Sequence, residues 1–363
     1  MILCSDPHAQ YLEHKKAIES AISSVLNSGS YILGPETQAF EREFADFTQS
    51  EYCAGVANGT DALLLALKAC DIGDGDEVIT VSLTASATVA AIYQSGAKAV
   101  YVDVDPESYT LDINQLEQKI GSRTKAIIPV HLYGHPAEIE AVMKIAREHG
   151  LYVIEDCAQA HGATYKGRQV GSFGDLGCFS FYPTKNLGAI GDGGAVVSSN
   201  PALADKVKLL REYGWKEKFN SSIHGWNSRL DEIQAAILRV KLKKLTHLNK
   251  RRSDLADIYN RKLAGLDLIL PTVKDNCSHV YHLYVIRMND RDGLLQHLKK
   301  QGIQAGIHYP TPVHAQQAYQ NREDDLKVTD TCCKEILSLP MYPELGDNID
   351  KVCSAVMDFY KNK

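Results

Sequence analysis

No stretch of this sequence is apolar for long enough to cross a bilayer. Met1 to Val25 lacks the basic segment and following apolar run of a secretory signal. A cytoplasmic protein without a membrane segment is the expectation. Cysteines at metal spacing are missing too. None of the 9 cysteines falls in a Cys-x-x-Cys pair, and the adjacent Cys332-Cys333 suits neither zinc nor an ordinary disulfide. Reduced thiols account for the odd count. His131 and His135 lie four apart, but across a Tyr-Gly-His-Pro turn rather than on a helix face, so no metal is expected. No G-x-x-x-x-G-K-[ST] loop occurs, which excludes a Walker-type nucleotide site. The net charge of -6 gives no reason to expect nucleic acid or an anionic membrane surface. Internal repeats, low-complexity tracts and flexible linkers are absent as well.

What is present is a chain of 363 residues, 44% hydrophobic, long enough for about two domains. Helices are predicted at 14–26, where Ile18, Ala21, Ile22 and Val25 form one stripe, and at 36–47. A regular alternation follows: strands at 51–56, 77–81, 99–104, 126–131 and 152–155, and helices at 62–69, 85–95, 113–120 and 138–149. Such alternation predicts an α/β fold with a mostly parallel central sheet and helices on both faces. Many strands end in polar clusters, namely Asn58-Gly59-Thr60, Ser82, Asp103 with Asp105, His131 and Asp156. Ligands bind at the carboxyl ends of strands in these sheets, so the clusters converge on one place.

The pattern changes near Asn227. A long helix is predicted from Asp231 past Leu245, with Ile233, Ala236, Ile237, Val240 and Leu245 as its apolar stripe. Lys241, Lys243, Lys244, Lys250, Arg251 and Arg252 read as its solvated face. Beyond it a smaller α+β unit is expected, with a strand at 280–288, a helix at 291–301, a strand at 306–310 running into a loop, and helices at 332–337 and 349–360. The boundary falls near Leu245, giving a large domain at 1–245 and a small one at 246–363.

The most informative stretch runs from Cys178 to Val197. Lys185 sits between a short apolar run and a loop with glycines at 188, 191, 193 and 194, and Pro183 bars regular structure from running through. A strand at 195–198 leaves the loop. A lysine on a turn with Ser180 upstream is what Schiff-base chemistry requires, since the amine must reach a carbonyl and lose its proton. A surface lysine in a glycine-rich turn has the same pattern. The cofactor that fits is pyridoxal phosphate, an aldehyde with a pyridine nitrogen and a phosphate. Asp156, ending its strand, suits a carboxylate against the ring nitrogen, or a helix N-cap. Asn58-Gly59-Thr60-Asp61, opening a helix, and Ser180 suit a phosphate.

These residues carry a resemblance. Asn58-Gly59-Thr60-Asp61-Ala62-Leu63, Glu155 to Ala163, Gly171 to Asp175, Phe179 to Gly188 and Asn227 to Ala236 are together similar to the DegT-type sugar-nucleotide aminotransferases, of the aspartate aminotransferase fold (fold type I). The likeness spans essentially the whole chain. It implies that Lys185 bonds the cofactor aldehyde and moves protons as base and acid. It further implies that Asp156 pairs with the pyridine nitrogen, Gln159 lies near the ring hydroxyl, and Gly59, Thr60 and Ser180 hold the phosphate. Asn227 would reach that phosphate from a neighbouring subunit, requiring a homodimer; it also suits an N-cap on the long helix. Substrate-facing candidates are His308 and Tyr309 of the small domain, or else a packed strand end, and Tyr31 from a dimer partner. The implied reaction passes an amino group from L-glutamate or L-glutamine to a nucleotide-linked keto sugar. The form Lys-Asn-Leu-Gly…Gly-Asp-Gly-Gly-Ala is more like members acting on 3-keto than on 4-keto sugars. A dehydratase, an amino-acid lyase or a non-catalytic regulator on the same fold are the rivals. One departure stands out: where the family often presents an aromatic or histidine to the ring, this chain has Ser82-Leu83-Thr84-Ala85-Ser86, leaving Leu83 or Ala85 to pack there. No arginine among Arg211, Arg229 and Arg239 is assigned to a substrate carboxylate.

Overall fold

The computed structural model describes residues 1–319 and 325–361. Helices α1 (Pro7–Ser28) and α2 (Pro35–Thr48) lead into an alternating unit. Its strands are β1 (Tyr52–Val56), β2 (Glu77–Val81), β3 (Lys98–Val102), β4 (Thr124–Ile127) and β5 (Tyr152–Asp156), followed by the short hairpin β6 (Thr164–Tyr165) and β7 (Arg168–Gln169), then β8 (Leu176–Ser180) and β9 (Gly194–Ser198). Helices α3 (Gly59–Ala69), α4 (Ser86–Gln94), the short α5 (Ile113–Leu116), α6 (Ile139–His149) and α7 (Pro201–Leu210) connect or follow them. The central sheet has seven strands in the order β1-β9-β8-β5-β4-β2-β3. Only β9 runs against its neighbours. Strands such as Glu77-Val-Ile-Thr-Val are nearly continuous β-branched runs because both faces are covered. This is the expected α/β class.

A hairpin of β10 (Trp215–Glu217) and β11 (Asn220–Ser221) precedes α8 (Glu232–Leu242) and α9 (Leu245–Leu263). The predicted single helix is thus broken at Lys243 and Lys244. Its charge pattern also misleads: Lys241 and Arg252, expected in solvent, are only 2% and 3% exposed. Arg252 donates to the carbonyls of Tyr281 (3.1 Å) and Met341 (2.9 Å), which is why a cation can be buried there.

In the C-terminal part, after β12 (Cys277–Ser278), β13 (Tyr284–Arg287) pairs antiparallel with β14 (Ile336–Leu339), and α10 (Arg291–Lys300), α11 (Lys327–Glu335) and α12 (Asn348–Lys361) complete the chain. Tyr259, Tyr284, Leu294 and Val352 share its core. Several expected boundaries move. Ile336 and Leu337 lie in a strand rather than a helix; a short run buried on every residue has no period to read. The strand expected at 280–288 shortens because Val280 and Leu283 instead donate to the carbonyls of Gly134 and Tyr133. Of the strand expected at 306–310, only Gly306 pairs, with Ser338. The helix expected at 113–120 becomes α5 and a 3-10 turn at Glu117–Lys119. Strand β4 stops at Ile127, ahead of Pro129. β8 and α7 had no counterpart in the sequence reading.

Candidate active site

Residues after β1, β2, β4 and β5, with Ser180 of β8, line one cavity of about 470 Å³. The other polar strand ends do not reach it: Ser82 bonds His314, Asp103 accepts from the Val328 and Thr329 N–H groups, and His131 meets Glu155. On one side lies the start of α3. Asn58 is the N-cap: its Oδ1 accepts from Asp61 N–H (2.9 Å) and its carbonyl from Ala62 N–H (3.0 Å). The first-turn N–H groups of Gly59 and Thr60 are left for a ligand, at the positive end of the helix dipole. Ser180, the last residue of β8, faces them. A Cβ on residue 59 would lie 2.6 Å from the Ser180 Cβ, so only glycine lets the two backbones come this close.

At the far side Asp156 closes β5. It is 5% exposed. Oδ1 accepts from Ala158 N–H (3.1 Å) and Oδ2 from the Thr88 hydroxyl (2.8 Å), which itself meets Thr84 Oγ1 at 2.9 Å. Burial pushes the carboxyl above its ordinary value, against the pull of these two bonds and the Lys185 charge. Lys185 stands between, on the turn after β8, where its N–H donates to the Tyr182 carbonyl (2.8 Å). The residue is half-buried and opens to the cavity, while its amine is enclosed by protein. Desolvation there lowers the amine to about 8, with Asp156 opposing. His161 packs against Phe179 and Phe181 nearby and is held neutral, burial taking it to about 3.

Behind Lys185 a second cavity of about 400 Å³ is lined by His282, His308 and Tyr309. Gln159 joins the two spaces. Its Nε2 donates to Tyr309 Oη (3.1 Å) and its Oε1 accepts from Tyr133 N–H (2.7 Å). Tyr133 Oη donates to the His308 carbonyl, and His308 Nδ1 meets Ser338 Oγ at 2.8 Å. Burial raises the Tyr309 hydroxyl to about 12, so it stays protonated.

The fold therefore gathers Gly59, Thr60, Asp156, Gln159, Ser180, Lys185, His308 and Tyr309, from positions 250 residues apart. Asn227 and Tyr31 do not join them: both are exposed, and the Tyr31 hydroxyl donates to the Leu26 carbonyl (3.2 Å). The N-cap of α8 is Asp231, so the capping alternative for Asn227 is wrong. Leu83 is buried in the opposite core; Thr84 and Ala85 line the cavity instead. Arg211 pairs with Glu41 and Arg239 with Glu36 and Glu43, which takes both away from any substrate. Two residues escaped the sequence reading. Thr88 bonds Asp156; its signal was the i, i+4 spacing from Thr84. His282, 6% exposed beside Lys185, carried no signal.

His131, Glu155 and Cys157 lie close enough together to suggest a metal. The bonds explain the cluster without one. His131 Nδ1 accepts from Ala137 N–H (2.9 Å), so Nε2 carries the proton that meets Glu155 Oε2 (3.0 Å). Glu155 also accepts from the N–H groups of Gly171 (2.8 Å), Phe173 (2.8 Å) and Gly174 (2.7 Å), folding the loop before β8. His135 turns elsewhere, to Pro136 O and Lys274 N–H. Each buried donor left unpaired costs about 1–3 kcal/mol. Glu155→Ala is therefore expected to lower stability by about 3 kcal/mol or more in urea unfolding, whereas a chelator leaves the wild-type midpoint in place.

Pyridoxal phosphate can be tested against this donor set. Its aldehyde needs an amine that is neutral near pH 8, its ring nitrogen a buried carboxylate, and its phosphate free backbone donors with a hydroxyl. The cavity is lined by all three. Lys185 and Asp156 line the same cavity and form no ion pair among the described residues. The residues fit the cofactor.

Comparison with known proteins agrees. The sequence model of the DegT/DnrJ/EryC1/StrS aminotransferase family matches residues 13–357. A dTDP-3-amino-3,4,6-trideoxy-alpha-D-glucose transaminase of Streptomyces venezuelae is 46% identical over 344 residues, covering 94% of this chain and 91% of its own. A UDP-N-acetyl-3-dehydro-alpha-D-glucosamine 3-aminotransferase of Acidithiobacillus ferrooxidans is 45% identical over 343 residues, covering 94% and 93%. Among solved structures, S. venezuelae DesV in complex with a ketimine intermediate superimposes with a TM-score of 0.97 at 44% identity, covering 99% of this chain and 98% of that one. No helix among the described residues is long and apolar enough to cross a membrane.

Proposed function

We propose, from the premise that this chain belongs to the DegT/DnrJ/EryC1/StrS aminotransferase family and is a pyridoxal-phosphate-dependent aminotransferase, that it aminates a nucleotide-linked 3-keto sugar with L-glutamate as donor. The observation that carries the chemistry is the single cavity shared by the Lys185 amine, the Asp156 carboxylate and the Gly59–Ser180 cradle. The Lys-Asn-Leu-Gly loop and the two transaminases named above, one of a 3-amino and one of a 3-dehydro sugar, support the 3-position and a dTDP or UDP carrier. The product would be an amino sugar for a surface polysaccharide or a glycosylated metabolite, made in the cytoplasm. We further propose a homodimer in which Asn227 of one chain reaches the phosphate held by the other; the exposure of Asn227, which does not line its own cavity, supports this. We also propose a domain division at residue 245, supported by the helix break at Lys243 and Lys244.

When bound, the cofactor supplies an electron sink for the carbanion formed at the donor. Lys185 Nζ takes the proton from the donor α-carbon and later returns one to the sugar carbon that receives nitrogen. Asp156 would keep the ring nitrogen protonated. The Gly59 and Thr60 N–H groups with the Ser180 hydroxyl would hold the phosphate, and the Gln159–Tyr309 bond would fix the wall that meets the sugar.

A panel of dTDP- and UDP-linked 3-keto and 4-keto sugars with L-glutamate tests the reading. Aminated product from a 3-keto sugar is expected, and product from 4-keto sugars alone would move the assignment. A second check uses the cofactor-free protein. Burial disfavours the ammonium form, so the free amine appears near pH 8 rather than near the ordinary 10.5. The rate of aldehyde capture at Lys185 should climb through pH 8 and level off above it. A midpoint near 10 would contradict this.

A further inference from the structure

The turn carrying Lys185 is gripped from behind by three side chains of one helix pair. Gln234 on α8 bonds Ile190 both ways, Oε1 accepting from its N–H (2.9 Å) and Nε2 donating to its carbonyl (2.7 Å). Lys241, at the end of α8, donates to the Gly188 carbonyl (2.7 Å) and to Gln10 Oε1 on α1 (2.8 Å). Asn249 on α9 accepts from Asn186 Nδ2 (2.9 Å). Residues 190, 188 and 186 are thus met in reverse order by 234, 241 and 249. Seven residues make two helical turns, about 10.5 Å, so Gln234 and Lys241 share a face.

Two features argue that more than stability is involved. Lys241 is 2% exposed, and burial lowers its amine to about 8 against the opposing charge of Glu344, with no carboxylate bonded to it among the described residues. A buried lysine is unfavourable to place, and this one is committed to a carbonyl three residues from Lys185. Asn186 is also 2% exposed, and its Nδ2 donates to the Val280 carbonyl as well (2.9 Å). Asn249 Nδ2 in turn donates to the His161 carbonyl (2.8 Å), on the turn after Asp156. A Cβ on Gly162 would lie 2.7 Å from that nitrogen, so a glycine makes room for the amide. One helical turn on, Arg252 ties α9 to Tyr281 and Met341 of the C-terminal part.

We propose that Gln234, Lys241 and Asn249 are positioning residues that set where the Lys185 amine sits and couple its turn, through α9, to the C-terminal part. The proposal rests on the reading of Lys185 as the reacting amine. Its test compares Lys241→Met, Asn249→Leu and the milder Gln234→Ala, at the half-buried end of the rack, with the wild type. A misplacement of about 1 Å can cost about 10²-fold in rate. Lys241→Met and Asn249→Leu are expected to lose about tenfold or more in kcat, and Gln234→Ala about threefold, with KM and the affinity for pyridoxamine phosphate within about threefold of wild type. The second readout is pulse acetylation of Lys185 in the cofactor-free protein against pH. Asp156, His161, His282 and His308 face that amine; Lys241→Met and Gln234→Ala remove no bond to them, whereas Asn249→Leu also removes the bond to the His161 carbonyl. Release of the turn toward solvent should raise the midpoint from about 8 toward the ordinary lysine value. Variants that melt earlier but keep kcat and the midpoint would show the rack to be structural only and overturn the proposal. Should the first two not fold, unchanged kcat and midpoint in Gln234→Ala overturn it equally. Borohydride fixation of the cofactor on wild-type Lys185 checks the premise separately, so failure of one is distinguishable from failure of the other.

Discussion

Lys185→Ala is expected to lower kcat by at least about 10³-fold, because one side chain supplies both the covalent anchor and the mobile proton. A positioned acid–base group alone contributes about 10²–10⁴-fold. The fold should tolerate the change. The residue opens to a cavity, and its amine holds no hydrogen bond among the described residues. The phosphate cradle at Gly59, Thr60 and Ser180 is untouched, so the variant should still bind the cofactor, weaker and removable by dialysis. Borohydride would no longer fix it to the protein. A small amine added to the solution should restore part of the rate, since it can supply the base but not the tether. Loss of activity together with loss of cofactor binding and of melting temperature would point instead to a structural lysine. Activity within about tenfold of wild type would remove Lys185 from the chemistry altogether.

The loop around Lys185 and the polar strand ends were legible because local chemistry dictates them. Asn58-Gly59-Thr60, set directly before a helical apolar run, suits an N-cap with exposed N–H groups. Asp156 follows four strand residues and so must emerge at the carboxyl edge. The alternation of strands and helices then brings these points together. What stayed hidden depends on partners remote in sequence. Lys241 looks like one more surface cation until Gly188 and Gln10 arrive from 53 and 231 residues away. Glu232 reads as a first-turn acid of its helix, yet it is buried and caps α2 through the N–H groups of Gly34, Glu36 and Thr37. Ile336 to Leu339 lies flush against β13 and has no polar face to reveal its period. His282 is invisible for a similar reason. Its place beside Lys185 is set by Val280 and Leu283 docking on the Tyr133–Gly134 turn. The small side chains at 84 and 85 were visible as a departure, but where Leu83 points could not be read from the sequence.

The Asp156→Asn variant separates the electrostatic role of that carboxylate from its shape. Asparagine can keep both contacts if its oxygen accepts from Ala158 N–H and its NH2 donates to the Thr88 hydroxyl, so little stability should be lost. Only the charge disappears. An opposite charge within about 4–6 Å moves a pKa by 1–3 units, so losing it reduces the protonated fraction of the ring nitrogen by roughly 10–10³-fold at a fixed pH. kcat should fall over a similar range, while KM for the sugar holds. The Thr88 hydroxyl gives a graded version: Thr88→Val removes one donor to Oδ2 and should cost far less than the charge itself. The same variant makes a second prediction of opposite sign to intuition. Asp156 raises the Lys185 pKa against the lowering effect of burial. Removing its charge should therefore move the Lys185 midpoint in the cofactor-free protein below 8, making the amine more nucleophilic at neutral pH even as turnover collapses. Faster aldehyde capture with slower transamination would distinguish a carboxylate that serves the ring from one that merely steadies the lysine. If both rates fell together, Asp156 would belong with Lys185 rather than with the cofactor.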